Sequence, residues 1–296
     1  MSFSAVRSGR SMTLGTMARM SSMAKEPEGS AYRCPRCGAC GFAIRWGSSN
    51  GHRRVLCRKC GRTSVSTLGT VMYRSRIGPL ATRLSAMLLS AGTTLRDTGS
   101  LLGISKTTAL RYRHLMLGEI AKSPVGQRLS GHAWVDETYW PLPGGRDLGK
   151  WWGKAAIAIG RDESGHLSLD FMGMGKPGSD TLSRSWSGKL VGVTRLTHDA
   201  LMGYEDTFSS LGIPGAKQDF EKSTAPGSHG AMSPIDRSCS GLKWFLMRRR
   251  GITARWLPLY LGLYQWGMIC RRKGGLSRLA GVLMGPAKLS PTVNWY

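Results

Sequence analysis

The stretch GHAWVDETYW (131–140) decides the fold, because it places two acids inside a segment that otherwise has the composition of a β-strand. Its aromatic and β-branched residues favour extended structure. A carboxylate among such apolar side chains is costly unless something compensates for its charge. A divalent metal ion is one such partner, since Mg²⁺ prefers hard oxygen ligands. Strand alternation predicts that Asp136 faces the metal and that Glu137 points to the opposite side.

The segments that follow predict alternating strands and helices. The predicted elements are, in order, strands over 131–140, 151–162 and 165–174, a helix over 179–190, a strand over 191–199, a helix over 204–212 and a loop over 213–232. Three antiparallel strands followed by alternating helix and strand is the order of an RNase H-like fold. The predicted fold class is therefore α/β, with an RNase H-like catalytic domain over 130–270.

Two further acids are candidates for the same metal site. Asp199 ends the predicted strand VGVTRLTHD, and Asp236 falls at the third position of a helix that begins near Ser233. Lys243 follows seven residues later on the same helix face. Asp236 has an alternative role, because an acid at this position stabilises a helix N-terminus. We expect Asp136, Asp199 and Asp236 to hold two Mg²⁺ ions, for which Mn²⁺ can substitute.

Charge points to a polyanionic partner. The chain has 296 residues and a formal charge of +25, from 42 Lys and Arg against 17 Asp and Glu. Twelve Lys or Arg and no acid lie between Gly29 and Arg96, and eleven with no acid follow from Arg237 onward. Basic flanks around an acidic centre suit a protein that binds phosphates and does chemistry on them, and a generally basic soluble protein is the alternative.

The cysteine spacing predicts a structural metal site. The two C-x2-C pairs are CPRC, with Cys34 and Cys37, and CRKC, with Cys57 and Cys60. Nineteen residues separate the pairs, a spacing typical of tetrahedral zinc. A disulfide framework is the alternative, which the odd number of cysteines disfavours. Cys40 and His52 are further ligand candidates, although four cysteines suffice. We expect a zinc ribbon over 31–66.

A helix-turn-helix module is predicted over 78–120. In TLRDTGSLLGISKTTALRYRHLML (94–117), Gly103 permits a turn and Ser105 is a good N-cap for the second helix. The residues expected inside are Leu95, Leu101, Leu102, Leu110 and Leu115. The residues expected to face the major groove are Lys106, Thr107, Thr108, Arg111 and Arg113. A helical hairpin with a solvated basic face is the alternative.

The chain ends carry weaker signals. Residues 1–30 are predicted to be a disordered basic leader, and 271–296 a basic tail. No apolar run reaches the eighteen or so residues that a membrane span needs, so no membrane partner is expected. The expected location is the cytoplasm, in association with the nucleoid.

Four segments together resemble one known family. They are CPRC with CRKCGRTSVSTLGTVM, then WVDETYW, LTHD, and IDRSCSGLKWFLMRRRGITARWLPLYLGLYQW. In order and spacing they are similar to the DDE transposases of bacterial insertion sequences. The resemblance is to the zinc-ribbon ISXO-like group (the insertion-sequence fifteen-ninety-five family), and it runs from about Cys34 to about Trp266.

The resemblance implies a transposase that binds the inverted-repeat ends of its element and a target DNA, as a homo-oligomer on double-stranded DNA. Asp136 and Asp199 match the first two catalytic acids. Asp236 stands at the third position, where the family has Glu, Asn or His, and Lys243 matches the lysine that follows. Cys239 stands where related sequences often have His. The implied chemistry is metal-dependent strand cleavage followed by strand transfer.

Three alternatives remain open from the sequence. The first is a catalytically silent DNA-binding protein derived from a transposase, which the departures at Asp236 and Cys239 would fit. The second is a metal-dependent zinc-ribbon nuclease. The third is a transcription regulator that uses only the ribbon and the helix-turn-helix, which leaves the ordered acids and Lys243 unexplained.

Overall fold

The computed structural model describes most of the chain between Arg33 and Lys273. The described ranges are 33–49, 52–65, 67–122, 128–142, 153–199, 202–212, 217–221, 233–249 and 251–273, with isolated positions up to 283. The predicted leader over 1–30 lies outside these ranges. The chain divides into two compact units, the first up to Tyr73 and the second over Arg74–Pro286.

The first unit contains a small antiparallel sheet. Its strands are β1 (Ala43–Ser49), β2 (His52–Cys57) and β3 (Thr63–Val65), in the order β1-β2-β3. The register of β1 shifts between Arg45 and Ser48, where the strand bulges. The buried core consists of Cys34, Val55 and Cys57. A core this small cannot fold a domain without further help, for which a bound metal is a common source.

The second unit begins with three helices, α1 (Gly78–Ala91), α2 (Leu95–Leu102) and α3 (Lys106–Lys122). Gly103 ends α2 at φ 62°, a left-handed conformation that favours glycine. The Ser105 hydroxyl accepts a hydrogen bond from the Thr108 backbone N–H at 3.1 Å, which confirms the predicted N-cap of α3.

The buried face of α3 differs from the predicted one. Ala109, Tyr112, Met116, Leu117 and Ile120 are its buried apolar residues, at the spacing of one helix face. The expected inward residues are therefore wrong in part: Leu101, Leu110 and Leu115 are exposed. The Tyr112 hydroxyl, which accepts from the Arg76 backbone N–H at 2.9 Å, helps to fix this orientation.

A mixed five-stranded sheet forms the centre of the second unit. Its strands are β4 (Ser130–Pro141), β5 (Lys154–Asp162), β6 (Leu167–Met174), β7 (Gly192–Asp199) and β8 (Lys217–Glu221), in the order β6-β5-β4-β7-β8. The first three strands pair antiparallel, whereas β7 joins β4 and β8 joins β7 in parallel. The expected order of three antiparallel strands followed by alternating helix and strand is present in the structure.

Helices cover both faces of this sheet. On one face, α4 (Ser179–Trp186) and α5 (Met202–Ser210) pack over Ala133 and Val135 of β4, through side chains that include Trp186 and Phe208. On the other face lies α6 (Ser233–Met247), whose Ser238 hydroxyl accepts a hydrogen bond from the Arg161 guanidinium of β5 at 3.3 Å. Asp136 alternates with Val135 and so belongs to the α6 face.

The last helix, α7 (Leu257–Lys273), joins the helical module to the sheet. A Cβ at Gly262 of α7 would lie 2.5 Å from the Ile120 side chain of α3, so the two helices approach closely. The Gln265 side-chain amide donates to the Leu167 carbonyl of β6 at 3.2 Å. The position of α7 therefore depends on both α3 and the sheet.

One prediction about this unit is wrong. Residues 217–221 form β8, whereas the sequence predicts a loop over 213–232; the sequence KQDFE is too polar and too short to indicate an edge strand. The predicted basic tail over 271–296 begins within α7, which runs to Lys273, and the side chains of Leu279 and Leu283 are buried. No helix in the described ranges combines the length and the apolarity that crossing a membrane requires.

Candidate functional site

Four cysteines of the ribbon form a cluster that fits zinc. The Sγ atoms of Cys34, Cys37, Cys57 and Cys60 all lie within 4.8 Å of one another. The Cys34–Cys60 and Cys37–Cys57 sulfur distances are 3.7 and 3.8 Å. A tetrahedral ion bound at about 2.3 Å separates its sulfurs by about 3.8 Å, whereas a disulfide joins them at about 2 Å. The spacing of the sulfurs therefore fits zinc, and the four predicted ligands lie together in one candidate site.

The local backbone explains why these cysteines converge. The Gly38 N–H donates to the Cys34 carbonyl at 2.9 Å, and the Gly61 N–H donates to the Cys57 carbonyl at 2.8 Å. Each C-x2-C pair thus forms its own tight turn, and the two turns are of the same kind. Cys40 is exposed and lies outside the cluster, so the structure places only the four C-x2-C cysteines together.

A second cluster, which we call the acid site, consists of Asp136, Glu137 and Asp199. One carboxylate oxygen of each lies within 4.8 Å of the others. The site forms because β4 and β7 are parallel neighbours, and their pairing runs up to Val135 and His198. The next residue of each strand is an aspartate, so the two side chains leave the sheet at the same point. This confirms that Asp136 and Asp199 meet.

The prediction that Glu137 points away from the site is wrong. Glu137 does alternate with Asp136 along β4, yet one of its carboxylate oxygens lies within 4.8 Å of oxygens of Asp136 and Asp199. The Tyr204 hydroxyl of α5 donates a hydrogen bond to Glu137 Oε2 at 2.6 Å and holds it there. Tyr204 is fully buried, so this donor has little freedom to move.

The electrostatics of the acid site favour a cation. The pKa of Asp136 is raised to about 7, first by burial and then by the charges of Asp199 and Glu137. Burial also raises the pKa of Glu137, and the hydrogen bond from Tyr204 opposes that rise. The pKa of Tyr204 is raised well above its ordinary range, by burial and then by the charge of Glu137. Three crowded carboxylates of this kind are stabilised when a divalent ion binds between them.

The third predicted acid is not at this site. Asp236 is exposed near the start of α6, and the group of converging carboxylates does not include it. The residue of α6 that contacts the site is Cys239, whose thiol donates to Asp136 Oδ2 at 3.7 Å. The charges of Asp236 and Lys243 both affect the pKa of this thiol, in opposite directions, so both lie near it. Lys243 is exposed.

Of the five α3 residues predicted to contact DNA, only some are exposed. Lys106, Thr107 and Arg111 are exposed. Thr108 is half-buried, and its hydroxyl bonds with that of Ser105 at 2.9 Å. The expectation that Arg113 faces outward is wrong, because it is 5% exposed and its guanidinium donates to the Thr93 carbonyl at 2.7 Å.

Sequence reasoning assigned no role at the acid site to Glu137, Tyr204 or Cys239. The role of Glu137 depends on its contact with Tyr204, and that of Tyr204 on the packing of α5, so neither has a local sequence signal. Cys239 has a sequence signal, since it lies three residues after Asp236 and four before Lys243 on the same helix face.

Comparisons with known proteins give little support for any family. No family model matches the chain, and no curated protein matches it significantly. Among solved structures it is similar to a chain of the cryo-EM structure of the simian T-cell lymphotropic virus intasome in complex with PP2A regulatory subunit B56 gamma. The TM-score is 0.34 and the identity 14%, over 62% of this chain. The chain spans 65% of that chain's length. Neither a shared fold nor a shared function follows from similarity at this level.

Proposed function

We propose that this chain is a DNA transposase that cuts the ends of its element and joins them to target DNA by metal-dependent phosphoryl transfer. The observation that carries the proposal is the acid site, in which Asp199, at the end of β7, converges with Asp136 and Glu137 of the neighbouring parallel strand β4. A metal site for phosphoryl transfer needs several carboxylates from different elements. The net charge of +25 supports a nucleic acid as the substrate.

The fold that we propose for the second unit's sheet and its helices is RNase H-like. Three antiparallel strands followed by two parallel ones, with helices on both faces, support this assignment. Asp136 lies within the central strand β4, and Asp199 lies at the end of its parallel neighbour β7, which is where the sequence pattern expects these two acids.

The acid site fits Mg²⁺ or Mn²⁺. Oxygens that share an octahedral ion at about 2.1 Å lie about 3–4 Å apart, and those of the three acids lie within 4.8 Å of one another. Bound divalent ions would activate the attacking oxygen and stabilise the leaving oxygen of an in-line displacement at phosphorus. The protein's part is to hold the ions with Asp136, Glu137 and Asp199, and to keep Glu137 oriented through Tyr204.

Residues of α6 would act beside the metal rather than within the group of three acids. Lys243 is exposed near Cys239, and we propose that it contacts a DNA phosphate next to the scissile bond. Asp236 lies one turn before Cys239 on the same helix face, so we propose that it adds a ligand when DNA and metal are bound. The thiol of Cys239 makes the contact between this helix and Asp136.

DNA binding is assigned to the helix-turn-helix and the ribbon. On α3, Lys106, Thr107 and Arg111 are exposed at the end that would enter the major groove first. The ribbon carries eight Arg or Lys and no acid between Arg33 and Val65. Its four cysteines, Cys34, Cys37, Cys57 and Cys60, would hold a structural Zn²⁺ ion, leaving no coordination position for a substrate.

The proposal is tested by incubating the zinc-loaded protein and Mg²⁺ with duplex DNA taken from both sides of its own reading frame, together with a plasmid target. We expect nicked ends and end–target joints from the wild type, and neither product from Asp136→Asn. The matched control is Asp170→Asn, which removes an acid of β6 that pairs with Lys189 at 3.5 Å. Cleavage that survives Asp136→Asn contradicts the proposed site, and cut strands without joints indicate a nuclease instead.

A second candidate function has one observation in its favour. Asp236 is exposed and lies outside the acid site, as it would in a transposase-derived protein that binds DNA but no longer cuts it. Such a protein would bind the same duplexes with nanomolar to micromolar affinity and leave them intact in Mg²⁺ and in Mn²⁺. The cleavage assay therefore separates the two candidates directly.

A further inference from the structure

The ribbon's sheet has one face turned away from the cysteine cluster. Ala43 pairs with Cys57, and Arg45 pairs with Val55, so these positions belong to the cysteine side. The alternating pair Ile44 and Leu56 therefore points to the opposite side, which we call the outer face. Thr63 of β3 pairs with Leu56 and extends this face.

The outer face and its rim expose aromatic side chains. Phe42, next to β1, is 50% exposed, and Trp46, in the bulge of β1, is 51% exposed. Ile44 and Leu56 are only partly buried. Arg54 alternates with Val55 and reaches the same face, where its guanidinium donates to the Thr63 hydroxyl at 3.0 Å.

Charge narrows the class of partner that fits. Eight Arg or Lys and no acid lie between Arg33 and Val65, and zinc with four thiolates adds a charge of −2, so the ribbon carries 8 − 2 = +6. A polyanion is therefore favoured. In a DNA duplex the faces of the bases are stacked on one another, so none is exposed for Trp46 to stack on. An unpaired strand offers phosphates and open base faces together.

We propose that the outer face of the ribbon binds single-stranded nucleic acid, with unpaired bases stacked on Trp46 and Phe42 and phosphates held by Arg54 and its basic neighbours. Base–aromatic stacking is tolerant of sequence because every base has a π-face. The inference does not depend on the acid site or on the proposed strand transfer. If the transposase assignment also holds, the ribbon would bind a DNA strand that has separated from its complementary strand.

The test compares a fluorescein-labelled 15-mer of dT with a mixed-sequence 15-base-pair duplex, by fluorescence anisotropy on the full-length, zinc-loaded protein at fixed salt. We expect Trp46→Ala to weaken dT binding about 5- to 100-fold, the effect of losing one stacked base, and to change duplex binding less than about twofold. Trp46→Phe should retain most of the affinity for dT. Val191→Ala, which removes another exposed apolar side chain, is the control and should change neither.

Further measurements keep the proposal open to refutation if Trp46→Ala disturbs the ribbon. Zinc content shows whether each variant keeps its fold, and Trp46→Leu retains an apolar side chain without an aromatic ring. Photocrosslinking of the wild type to a strand containing 5-iodouracil should give an adduct within residues 42–46. If a 15-mer of U RNA binds as tightly as the 15-mer of dT, the proposal extends to single-stranded RNA as well as single-stranded DNA. The proposal would be overturned if Trp46→Ala lost equal affinity for the dT 15-mer and for the duplex, or if crosslinks formed only at residues beyond Tyr73.

Discussion

Replacing Tyr204 by phenylalanine tests whether the acid site is built to hold metal. Tyr204 is fully buried, and its hydroxyl donates to Glu137 Oε2 at 2.6 Å. The substitution keeps the ring and removes only this donor. A hydrogen bond to a charged group is worth about 1.5–3 kcal/mol, and loss of a group that orients a metal ligand typically costs 10- to 100-fold in affinity. We therefore expect Tyr204→Phe to weaken Mn²⁺ binding by about 10- to 100-fold at pH 7.

The loss has two causes that pH can separate. The hydrogen bond from Tyr204 opposes the rise in the pKa of Glu137, so the variant raises that pKa further and more metal must compete with a proton. The freed carboxylate also loses its orientation, which does not depend on pH. The defect should therefore be larger at pH 6 than at pH 9, and should not vanish at pH 9.

The assay is Mn²⁺ titration followed by electron paramagnetic resonance on zinc-loaded protein, without DNA. Tyr260→Phe is the matched control, since Tyr260 is a buried tyrosine of α7. It should bind Mn²⁺ as the wild type does. Wild-type affinity in Tyr204→Phe, or an equal loss in Tyr260→Phe, would refute the idea that Tyr204 orients a metal ligand.

Three further predictions follow from single contacts. Folding raises the pKa of Asp136 to about 7, so the folded protein binds this proton more tightly than the unfolded chain does. The free energy of unfolding of the metal-free protein should therefore fall as pH rises from about 4 to 7, by at most about 4 kcal/mol. Asp136→Asn should flatten this slope in thermal melts across that range, and an unchanged slope would contradict the assignment. Arg113→Ala should destabilise the protein by about 1.5–3 kcal/mol in urea titrations, because its bond to the Thr93 carbonyl is lost, whereas Arg111→Ala should leave stability unchanged and weaken duplex binding. Removing zinc with a chelator should make the ribbon sensitive to limited proteolysis and leave a fragment that begins near Arg74, while full protection would argue against a structural metal.

Local patterns in the sequence predicted the features that depend on local geometry. The four cysteines converge because each C-x2-C pair forms its own turn, and the N-cap at Ser105 is a contact between residues three apart. Asp136 and Asp199 were also found, since both follow apolar strand segments that pair in parallel. In these cases the neighbours in sequence supply most of the structure.

The errors came from contacts with distant parts of the chain. Alternation predicted that Glu137 points away, but its carboxylate lies with those of Asp136 and Asp199 and accepts a hydrogen bond from Tyr204. The orientation of α3 depends on contacts with distant residues, among them Arg113 with the Thr93 carbonyl, Tyr112 with Arg76 and Ile120 with Gly262 of α7. These contacts accompany a buried Arg113 and an exposed Leu110. The strand β8 is polar and short, so its pairing with β7 rather than its composition defines it. Its place near the start of α6 and the family resemblance suggested Asp236 as a ligand, whereas Cys239 makes the contact with Asp136.

Anomalous diffraction from a crystal of the zinc-loaded protein soaked in Mn²⁺ addresses the account most directly. Data collected at the manganese edge should show a peak within about 2.3 Å of carboxylate oxygens from Asp136, Glu137 and Asp199. The peak should disappear in Asp136→Asn. Manganese bound only at exposed acids elsewhere, or an empty acid site at saturating Mn²⁺, would show that these three carboxylates do not form a metal centre.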